Sequence, residues 1–465
     1  MKQQADIIIV GGGMAGAALA LALVQQTDWQ IAVIDAAPSP AQVVHSPIIN
    51  SRVVALNSAS QTWLQDMGVW PAIAAACSCA YQKMQVWDGE GTGAVGFDAA
   101  ELHAPELGHI VENQHLVACL WQALLATGRV QSYLGETVSE CEMPVPDNTA
   151  CPDNTVHNTP DNTLVNNTDK NPSTSSGRAE HLNREHLNSS DLVIVTLASG
   201  KRLRAPLVVA ADGAQSFIRQ AAGIAVNERD YQHQAIVATL QTEHYHQGTA
   251  YQRFSHSGPL ALLPLPSVKK PSIKVPSINN REPELKPQAE PEQEHYVALV
   301  WSQNNAEAAA LMQLSDSDFA QAVARASEHK LGAVKAVHHR LVISLSERHA
   351  AHYHCNGVVL IGDAAHTLHP LAGQGVNLGF ADAEALACEL IRAHQRGLAL
   401  TEPSIFTRYQ RRRRLHNSGA ILAMSGFKQL FEQQNPYVTL LRNQGMAIFN
   451  RLPWVKKQVI KLAQG

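Results

Sequence analysis

The seven cysteines of this 465-residue chain lack the spacing of a metal site or of a disulfide framework. Cys77 and Cys79 are separated by one residue, which is too close for a good zinc pair. We therefore predict buried or incidental thiols in a protein that works in a reducing compartment. The cysteines occupy positions 77, 79, 119, 141, 151, 355 and 388.

Charged residues are also few, at 16% of the chain, and the net charge is −4. A slightly acidic chain of this kind has no global attraction to nucleic acid, so we expect no such partner. The charge is uneven, because residues 392–465 contain thirteen Lys and Arg but only two Glu. This imbalance predicts a basic C-terminal patch on an acidic body.

No apolar run has the character of a membrane span. Residues 7–24 are almost wholly apolar, but Gly11, Gly12 and Gly13 interrupt them and a second strand pattern follows. The chain is too long for one simple core, and its 45% hydrophobic content is that of a globular protein. We predict a cytoplasmic protein with two or three substructures.

Two segments contain too few apolar and aromatic residues to offset the entropy lost on ordering them. In residues 144–190 the sequence Pro-Asp-Asn-Thr recurs, and residues 266–294 are rich in proline and charge. We predict that both are mobile surface insertions without chemistry of their own.

The N-terminal segment has the pattern of a strand, a glycine-rich turn, a helix and a second strand. Gly11, Gly13 and Gly16, the first junction, follow the first strand, and Asp35 ends the second strand. In a dinucleotide fold these glycines turn the chain, admit the pyrophosphate and pack the helix, while the acid binds the adenosine ribose. The pattern predicts a dinucleotide site without distinguishing NAD from FAD.

Two later strand ends carry an aspartate beside a glycine. Asp212-Gly213, the second junction, follows a strand of small residues, and Gly362-Asp363, the third junction, follows a β-branched run. We predict that the third junction opens a loop reaching Gly379, whose glycines expose backbone N–H groups to a ligand. Asp363 is placed to accept hydrogen bonds from sugar-like hydroxyls.

Some polar residues have more than one interpretation. Arg52 is either a solvated surface charge or a contact for a phosphate or the edge of a flavin. His366 and His369 are interpreted as residues that pack the loop rather than as ligands or bases. The histidines at 349, 352 and 354 fit no zinc pattern.

Together, the three junctions resemble the aromatic-hydroxylase class of flavin monooxygenases. The resemblance implies a Rossmann-like α/β FAD-binding domain with an inserted mixed β-sheet substrate domain and a C-terminal helical region. The site residues that it implies are Gly11, Gly13, Gly16 and Asp35 for the ADP half of FAD, Asp212 and Gly213 near the pyrophosphate, Asp363 at the ribityl chain and pyrophosphate, Pro370, Gly373, Gly375 and Asn377 beside the flavin ring, and Arg52 near the flavin.

Within that class the chain is most similar to the ubiquinone-biosynthesis hydroxylases, and among them to the UbiI (VisC) branch of 2-polyprenylphenol hydroxylases. The sequence segments that carry this likeness are residues 12–14, 107–113, 231–233, 362–380 and 426–431. The likeness implies a hydrophobic polyprenylphenol substrate, hydroxylated through a flavin C4a-hydroperoxide that needs O₂ and reducing equivalents from NAD(P)H. No catalytic residue is implied, because the cofactor supplies the reactivity.

The expected domain bounds follow from the order of these patterns. The predicted FAD-binding domain is discontinuous, and the basic helical region follows it. The bounds are 1–75, 101–143, 191–225 and 346–400 for the FAD-binding domain, 76–100 and 226–345 for the substrate domain, 144–190 and 266–294 for the insertions, and 401–465 for the C-terminal region. This region is interpreted either as a solvated run of charge or as a contact for the membrane surface or a ubiquinone-biosynthesis complex.

Four alternative functions were compared with this interpretation. A sibling enzyme that hydroxylates another ring position and a prenyl-lipid-binding protein without catalysis both use the same fold. A flavin-dependent halogenase normally carries a Trp-x-Trp motif, and the seven tryptophans include no such pair. A simple NAD dehydrogenase does not explain the second and third junctions. The sequence does not predict the oligomeric state.

Overall fold

The computed structural model describes residues 3–40, 50–144, 192–269, 293–367, 375–433 and 435–464. The strands within these ranges are β1 (Gln3–Gln4), β2 (Ile7–Val10), β3 (Ile31–Asp35), β4 (Val53–Leu56), β5 (Ser78–Tyr81), β6 (Lys83–Asp88), β7 (Ala94–Asp98), β8 (Gly108–Glu112), β9 (Val130–Leu134), β10 (Val138–Glu142), β11 (Val193–Leu197), β12 (Arg202–Ala205), β13 (Leu207–Ala210), β14 (Val226–Thr242), β15 (Thr249–Phe254), β16 (Leu260–Pro264), β17 (Val268–Lys269), β18 (Gln293–Asn304), β19 (Val334–Ala350), β20 (His354–Cys355), β21 (Val358–Leu360) and β22 (His366–Thr367). The helices are α1 (Met14–Gln26), α2 (Ser58–Asp66), α3 (Trp70–Cys77), α4 (Asn113–Ala126), α5 (Phe217–Ala221), α6 (Asn305–Gln313), α7 (Asp316–Ala326), α8 (Gly375–Gln395), α9 (Pro403–Glu432), α10 (Pro436–Asn450) and α11 (Pro453–Gln464).

A sheet in the order β20-β21-β13-β2-β3-β9 carries the three junctions. Every neighbouring pair in it is parallel except β20 with β21. Strands β2 and β13 are buried along their whole length, as expected for a parallel sheet covered on both faces. Because β21, β13 and β2 are neighbours, their carboxyl ends lie side by side, and the predicted Rossmann-like architecture is confirmed.

A second large sheet has the order β22-β19-β14-β18-β16-β15-β6-β7, with β17 beside β18. It is antiparallel except where β15 runs parallel to β6, so the predicted mixed sheet is confirmed. Helices α6 and α7, which the sequence patterns did not predict, cover one face, where Phe319 and Val323 pack on Ile236 and Leu299. The sheet extends into the segment predicted as an insertion at 266–294, because β17 pairs with the start of β18.

Two small sheets complete the fold of the described residues. One has the order β1-β12-β11-β10, and the other has the order β4-β8-β5. Residues of β4 and β8, including Ala55 and Ile110, share an apolar cluster with Ala261, Leu263 and Ala298 of the large sheet. The β4-β8-β5 sheet therefore joins the parallel sheet's lobe to the large sheet.

The C-terminal region is helical, as predicted, but it is not a uniform basic surface. Three of its cations are 5% exposed and form ion pairs with the body of the protein. The pairs are Arg413 with Asp382, Arg442 with Asp88, and Lys456 with Glu101. The prediction of a basic patch was therefore wrong for these residues, which attach α9, α10 and α11 to the rest of the fold. Exposed cations remain at Arg411, Arg412, Arg414 and Arg451.

Two other expectations need correction or fall outside the described residues. Cys355 is disulfide-bonded, so the prediction of incidental free thiols was wrong at this position, whereas Cys79, Cys119, Cys141 and Cys388 are free. Most of the two predicted insertions, namely residues 145–190 and 270–292, lies outside the described ranges. Among the described helices, none has the length and apolar character needed to cross a bilayer.

Candidate cofactor site

The first junction has the geometry of a turn that leaves room for a ligand at one position only. A Cβ atom on Gly11, where φ is +101°, would lie 2.2 Å from the carbonyl oxygen of Ala211, and one on Gly16 would lie 1.9 Å from the carbonyl oxygen of Gly11. A Cβ on Gly13 would meet no described atom within 4 Å. Two glycines thus permit close packing, and the third faces open space in front of α1.

The start of α1 is suited to a phosphate. Gly13 is its N-cap residue, and no side chain caps the free N–H groups of the first turn. These N–H groups and the helix dipole favour an anion. Trp121 packs on this turn and donates a hydrogen bond from Nε1 to the carbonyl oxygen of Gly12 at 2.8 Å. Sequence patterns gave no indication of this tryptophan, because it is a core residue of α4.

Asp35 ends β3 beside the first junction, where the sequence places it. Its Oδ2 accepts a hydrogen bond from Gly12 N at 2.6 Å, and its Oδ1 accepts one from Ala37 N at 2.8 Å. Each carboxylate oxygen can accept a second hydrogen bond, so the side chain also has capacity for ribose hydroxyls. Asp35 therefore shapes the turn and keeps acceptor capacity for a ligand.

The second junction lies directly against the first, because Ala211 N donates to the carbonyl oxygen of Val10 at 2.8 Å. Asp212 Oδ2 accepts a hydrogen bond from Ile218 N at 3.2 Å. Its Oδ1 is buried and has no partner among the described residues. A buried carboxylate oxygen without a donor is costly, which is consistent with a donor supplied by a ligand.

Arg219, which follows the second junction, connects it to the third. Its side chain is 6% exposed, and Nη1 donates to the carbonyl oxygen of Ala364 at 2.9 Å while Nη2 donates to that of Ala214 at 3.1 Å. Burial lowers the pKa of this guanidinium, with Asp212 opposing the shift. Arg219 therefore fixes the distance between the two aspartate-bearing turns, a role that its position in the sequence did not reveal.

At the third junction, Asp363 reaches solvent while its neighbours Gly362 and Ala364 are buried. No described residue donates a hydrogen bond to its carboxylate. Although the residue is accessible, the protein atoms around it desolvate the carboxyl and raise its pKa, with His366 opposing and Asp382 adding to the shift. A carboxylate in such a recess is suited to accept hydrogen bonds from a hydroxyl-rich ligand.

The segment after the third junction differs from the predicted loop. Helix α8 begins at Gly375, not near Phe380, so Gly379 is helical and packs against Gly362, to whose Cα an added Cβ would approach within 3.6 Å. Asn377 also lies in α8 and does not present a free amide. Pro370 and Gly373 lie outside the described residues.

The amide of Asn377 ties α8 to the start of the β4–α2 segment. Its Oδ1 accepts from Asn57 N at 3.0 Å and Ser60 Oγ at 2.8 Å, and its Nδ2 donates to the carbonyl oxygen of Ala55 at 2.8 Å. This places Asn377 beside the strand that follows Arg52. Asn377 therefore joins α8 to β4 and to the start of α2.

Arg52 is exposed and forms no ion pair with a described residue. It immediately precedes β4, and its carbonyl oxygen accepts a hydrogen bond from Asn113 N at 3.0 Å. Ser51 Oγ and Asn113 Oδ1 are buried nearby without a partner in the described part of the chain. A free guanidinium beside orphaned polar atoms fits a polar cofactor that crosses this region.

A separate hollow of the protein surface lies away from these junctions. It has a volume of about 660 Å³ and lies between α7 and the start of β19. Charged side chains, including Asp316, Arg325 and Lys335, line it. Alanine and valine side chains line it as well, but its residues belong to none of the three junctions, so we assign it no role.

Comparison with known proteins agrees with this geometry. The family model described as "FAD binding domain" matches residues 4–423. The chain is 33% identical to the 3-demethoxyubiquinol 3-hydroxylase of Escherichia coli (strain K12), over all of this chain and 99% of that protein. It is 29% identical to the mitochondrial ubiquinone biosynthesis monooxygenase COQ6 of Rattus norvegicus, over 98% of this chain and 90% of that protein.

A solved structure shares the fold at low sequence identity. The p-nitrophenol 4-monooxygenase PnpA of Pseudomonas putida DLL-E4 superposes with a TM-score of 0.68 at 16% identity, over all of this chain and 99% of that one. This likeness shows the overall fold alone.

Proposed function

The chain belongs to the FAD-binding monooxygenase family, among the ubiquinone-biosynthesis hydroxylases, and from this membership we propose that it hydroxylates the aromatic ring of a polyprenylphenol. The observation that carries the proposal is the convergence of the three junctions at one sheet edge, with space left at Gly13 and polar atoms left without partners. The residues present fit FAD.

Bound FAD supplies the oxygen chemistry, with O₂ and an NAD(P)H-type reductant. The chain's own residues bind and orient the cofactor. The N–H groups at the start of α1 would hold the phosphates, Asp35 would bind the adenosine ribose, and Asp363 would accept hydrogen bonds from the hydroxyl-bearing chain. Arg52 would stabilise negative charge at the flavin.

The proposed substrate site lies between the cofactor and the large sheet. Here Ala55 of β4 and Ile110 of β8 share a buried apolar cluster with Ala250, Ala261 and Ala298 of the large sheet. Such apolar surroundings suit a prenyl chain and exclude water from the reaction. The aromatic ring of the substrate is therefore expected at this boundary between the two lobes.

The ring position that is hydroxylated has two candidates. The sequence motifs resemble those of the 2-polyprenylphenol branch. However, a relative named 3-demethoxyubiquinol 3-hydroxylase aligns with the whole length of the chain. We favour the 2-polyprenylphenol assignment, and the sibling position is the alternative. A prenyl-binding protein without catalytic activity is a further alternative for the function.

Deleting the gene in a ubiquinone-producing bacterium that encodes it tests this choice. We expect the cells to accumulate a polyprenylphenol that lacks its first added ring hydroxyl, identified by mass spectrometry. Accumulation of a demethoxyubiquinol would assign the protein to the sibling reaction instead. Unchanged ubiquinone synthesis, or purification of a colourless protein with no releasable FAD, would reject the enzyme.

We also propose that the C-terminal region contacts an anionic membrane surface peripherally. One face of α10 binds the body through Arg442 and Asn443, and the opposite face presents large apolar side chains to solvent. Tyr437, Leu441 and Ile448 recur on this face with helical spacing, each between 60% and 78% exposed. Arg451, which directly follows α10, supplies positive charge, and a membrane-resident substrate would be reached from such a position.

A vesicle assay tests this contact. The double variant Leu441→Gln/Ile448→Gln is expected to lose most binding to vesicles of phosphatidylglycerol and phosphatidylcholine in co-sedimentation, because both side chains insert into the interface. Leu341→Gln, which changes an equally apolar side chain 39% exposed on the large sheet, is the matched control. Equal binding of the double variant and the control would reject this surface.

A further inference from the structure

A buried carboxylate lies directly behind the third junction. The side chain of Asp382 on α8 has 0% exposure and accepts hydrogen bonds from four residues. Its Oδ2 accepts one from Gly362 N at 3.0 Å and lies 2.5 Å from His366 Nε2. Its Oδ1 accepts one from Arg413 Nε at 2.6 Å and one from Asn417 Nδ2 at 3.2 Å. Asp382 therefore connects the turn to two residues of α9.

The charges in this cluster hold one another in place. Burial opposes the ionisation of Asp382, but His366 and Arg413 outweigh it and lower the pKa of the carboxyl to about 2. The carboxylate is thus charged at neutral pH. Arg413 Nη2 also donates to Asn417 Oδ1 at 2.8 Å, so the guanidinium is fixed by α9 as well as by α8. Removing Asp382 would leave the buried guanidinium of Arg413 without its carboxylate partner.

The cluster controls the shape of the turn that presents Asp363. Gly362 and His366 lie on either side of Asp363, and both bind the same oxygen of Asp382. Gly362 has a φ of +58°, and its Cα packs against Gly379 of α8. The direction of the Asp363 carboxylate therefore depends on Asp382, a residue of α8 that lies outside the glycine motifs.

We propose that Asp382 and Arg413 are positioning residues of the cofactor site, which makes the first half of α9 part of the FAD-binding machinery. Arg413 acts on the turn through Asp382, which it binds. The proposal rests on FAD as the cofactor and not on the identity of the aromatic substrate, so an error in the proposed hydroxylation leaves it unaffected.

The test compares neighbouring arginines in the full-length chain. Arg413→Gln is expected to weaken FAD binding by roughly tenfold, since a charge-assisted hydrogen bond that orients the turn is lost. It is also expected to change the midpoint potential of the bound flavin. Arg413→Lys should recover part of the affinity. Arg411→Gln is the matched control, because Arg411 lies two residues before Arg413 in α9 and is exposed. FAD affinity is measured by fluorescence quenching at a temperature where every variant is folded.

Stability is followed in parallel by thermal unfolding of the FAD-free chains. Asn417→Ala keeps the ion pair and removes one hydrogen bond to Asp382, so a smaller loss of FAD affinity, roughly threefold, is expected. This variant decides the question if Arg413→Gln does not fold. Wild-type affinity and potential in Arg413→Gln, wild-type affinity in Asn417→Ala, or an equal loss in Arg411→Gln would each overturn the proposal.

Discussion

Replacing Gly13 with alanine is expected to leave the FAD-free protein folded and to weaken FAD binding by ~10- to 100-fold, the equivalent of an overpacking cost of about 1–3 kcal/mol. Gly13 has a φ of −68°, which alanine adopts without strain. An added Cβ would meet no described protein atom within 4 Å, so only a ligand in that space would oppose it. Isothermal titration of the FAD-free protein with FAD measures the loss.

Gly16→Ala is the informative companion to this variant. Its Cβ would lie 1.9 Å from the carbonyl oxygen of Gly11, so we expect loss of both stability and FAD binding. The two glycines would thus separate packing from ligand contact within one motif. Wild-type FAD affinity in Gly13→Ala would show that the pyrophosphate does not lie at the start of α1.

Replacing Asp88 with alanine is expected to destabilise the protein by about 3–5 kcal/mol, the cost of breaking a buried ion pair. The side chains of Asp88 and Arg442 are 0% and 1% exposed, and Arg442 Nε donates to Asp88 Oδ2 at 2.8 Å. Asn443 Nδ2 donates to the same oxygen at 3.1 Å. The substitution therefore leaves a buried guanidinium unpaired and loosens α10 from β6. Urea unfolding measures the change, and limited proteolysis before α10 reports the loosening.

A surface ion pair provides the control for this prediction. Arg202 and Glu142 have side chains 49% and 52% exposed, so Arg202→Ala should change the free energy of unfolding by less than about 1 kcal/mol. If Asp88→Ala were no more destabilising than Arg202→Ala, the buried pair would not anchor the C-terminal helices.

The parts of the site that were predictable are those in which a few neighbouring residues carry the whole signal. Gly11, Gly13 and Gly16 have a fixed spacing because one turn and one helix start need it, and Asp35 follows from the length of the β-α-β unit. The aspartates of the second and third junctions follow buried strands, which are recognisable by their unbroken apolar runs.

Other features depended on residues far apart in the chain. The sequence places glycines at 375 and 379 in a loop, because glycine has a low helix propensity. In the structure Gly379 is helical, since its missing Cβ allows α8 to approach Gly362. Tertiary packing outweighs a local propensity of about 1 kcal/mol at such a position.

The basic C-terminal region also combines features that the sequence predicted with features that depend on the fold. Its composition predicted a charged helical surface, and the exposed arginines of α9 agree with that. Composition could not distinguish them from Arg413, Arg442 and Lys456, whose carboxylate partners lie up to 355 residues away in the chain. Whether an arginine is solvated or buried depends on which acid the fold brings to it.

The sequence by itself therefore determined the nucleotide-binding β-α-β unit and the family, because both are recognised from short motifs of neighbouring residues. The tertiary structure decided how the third junction is held, through Asp382, Arg413 and Arg219, and which face of α10 remains apolar and exposed. Buried charges can be stabilised only by partners within a few ångströms, and that proximity exists only after the chain has folded.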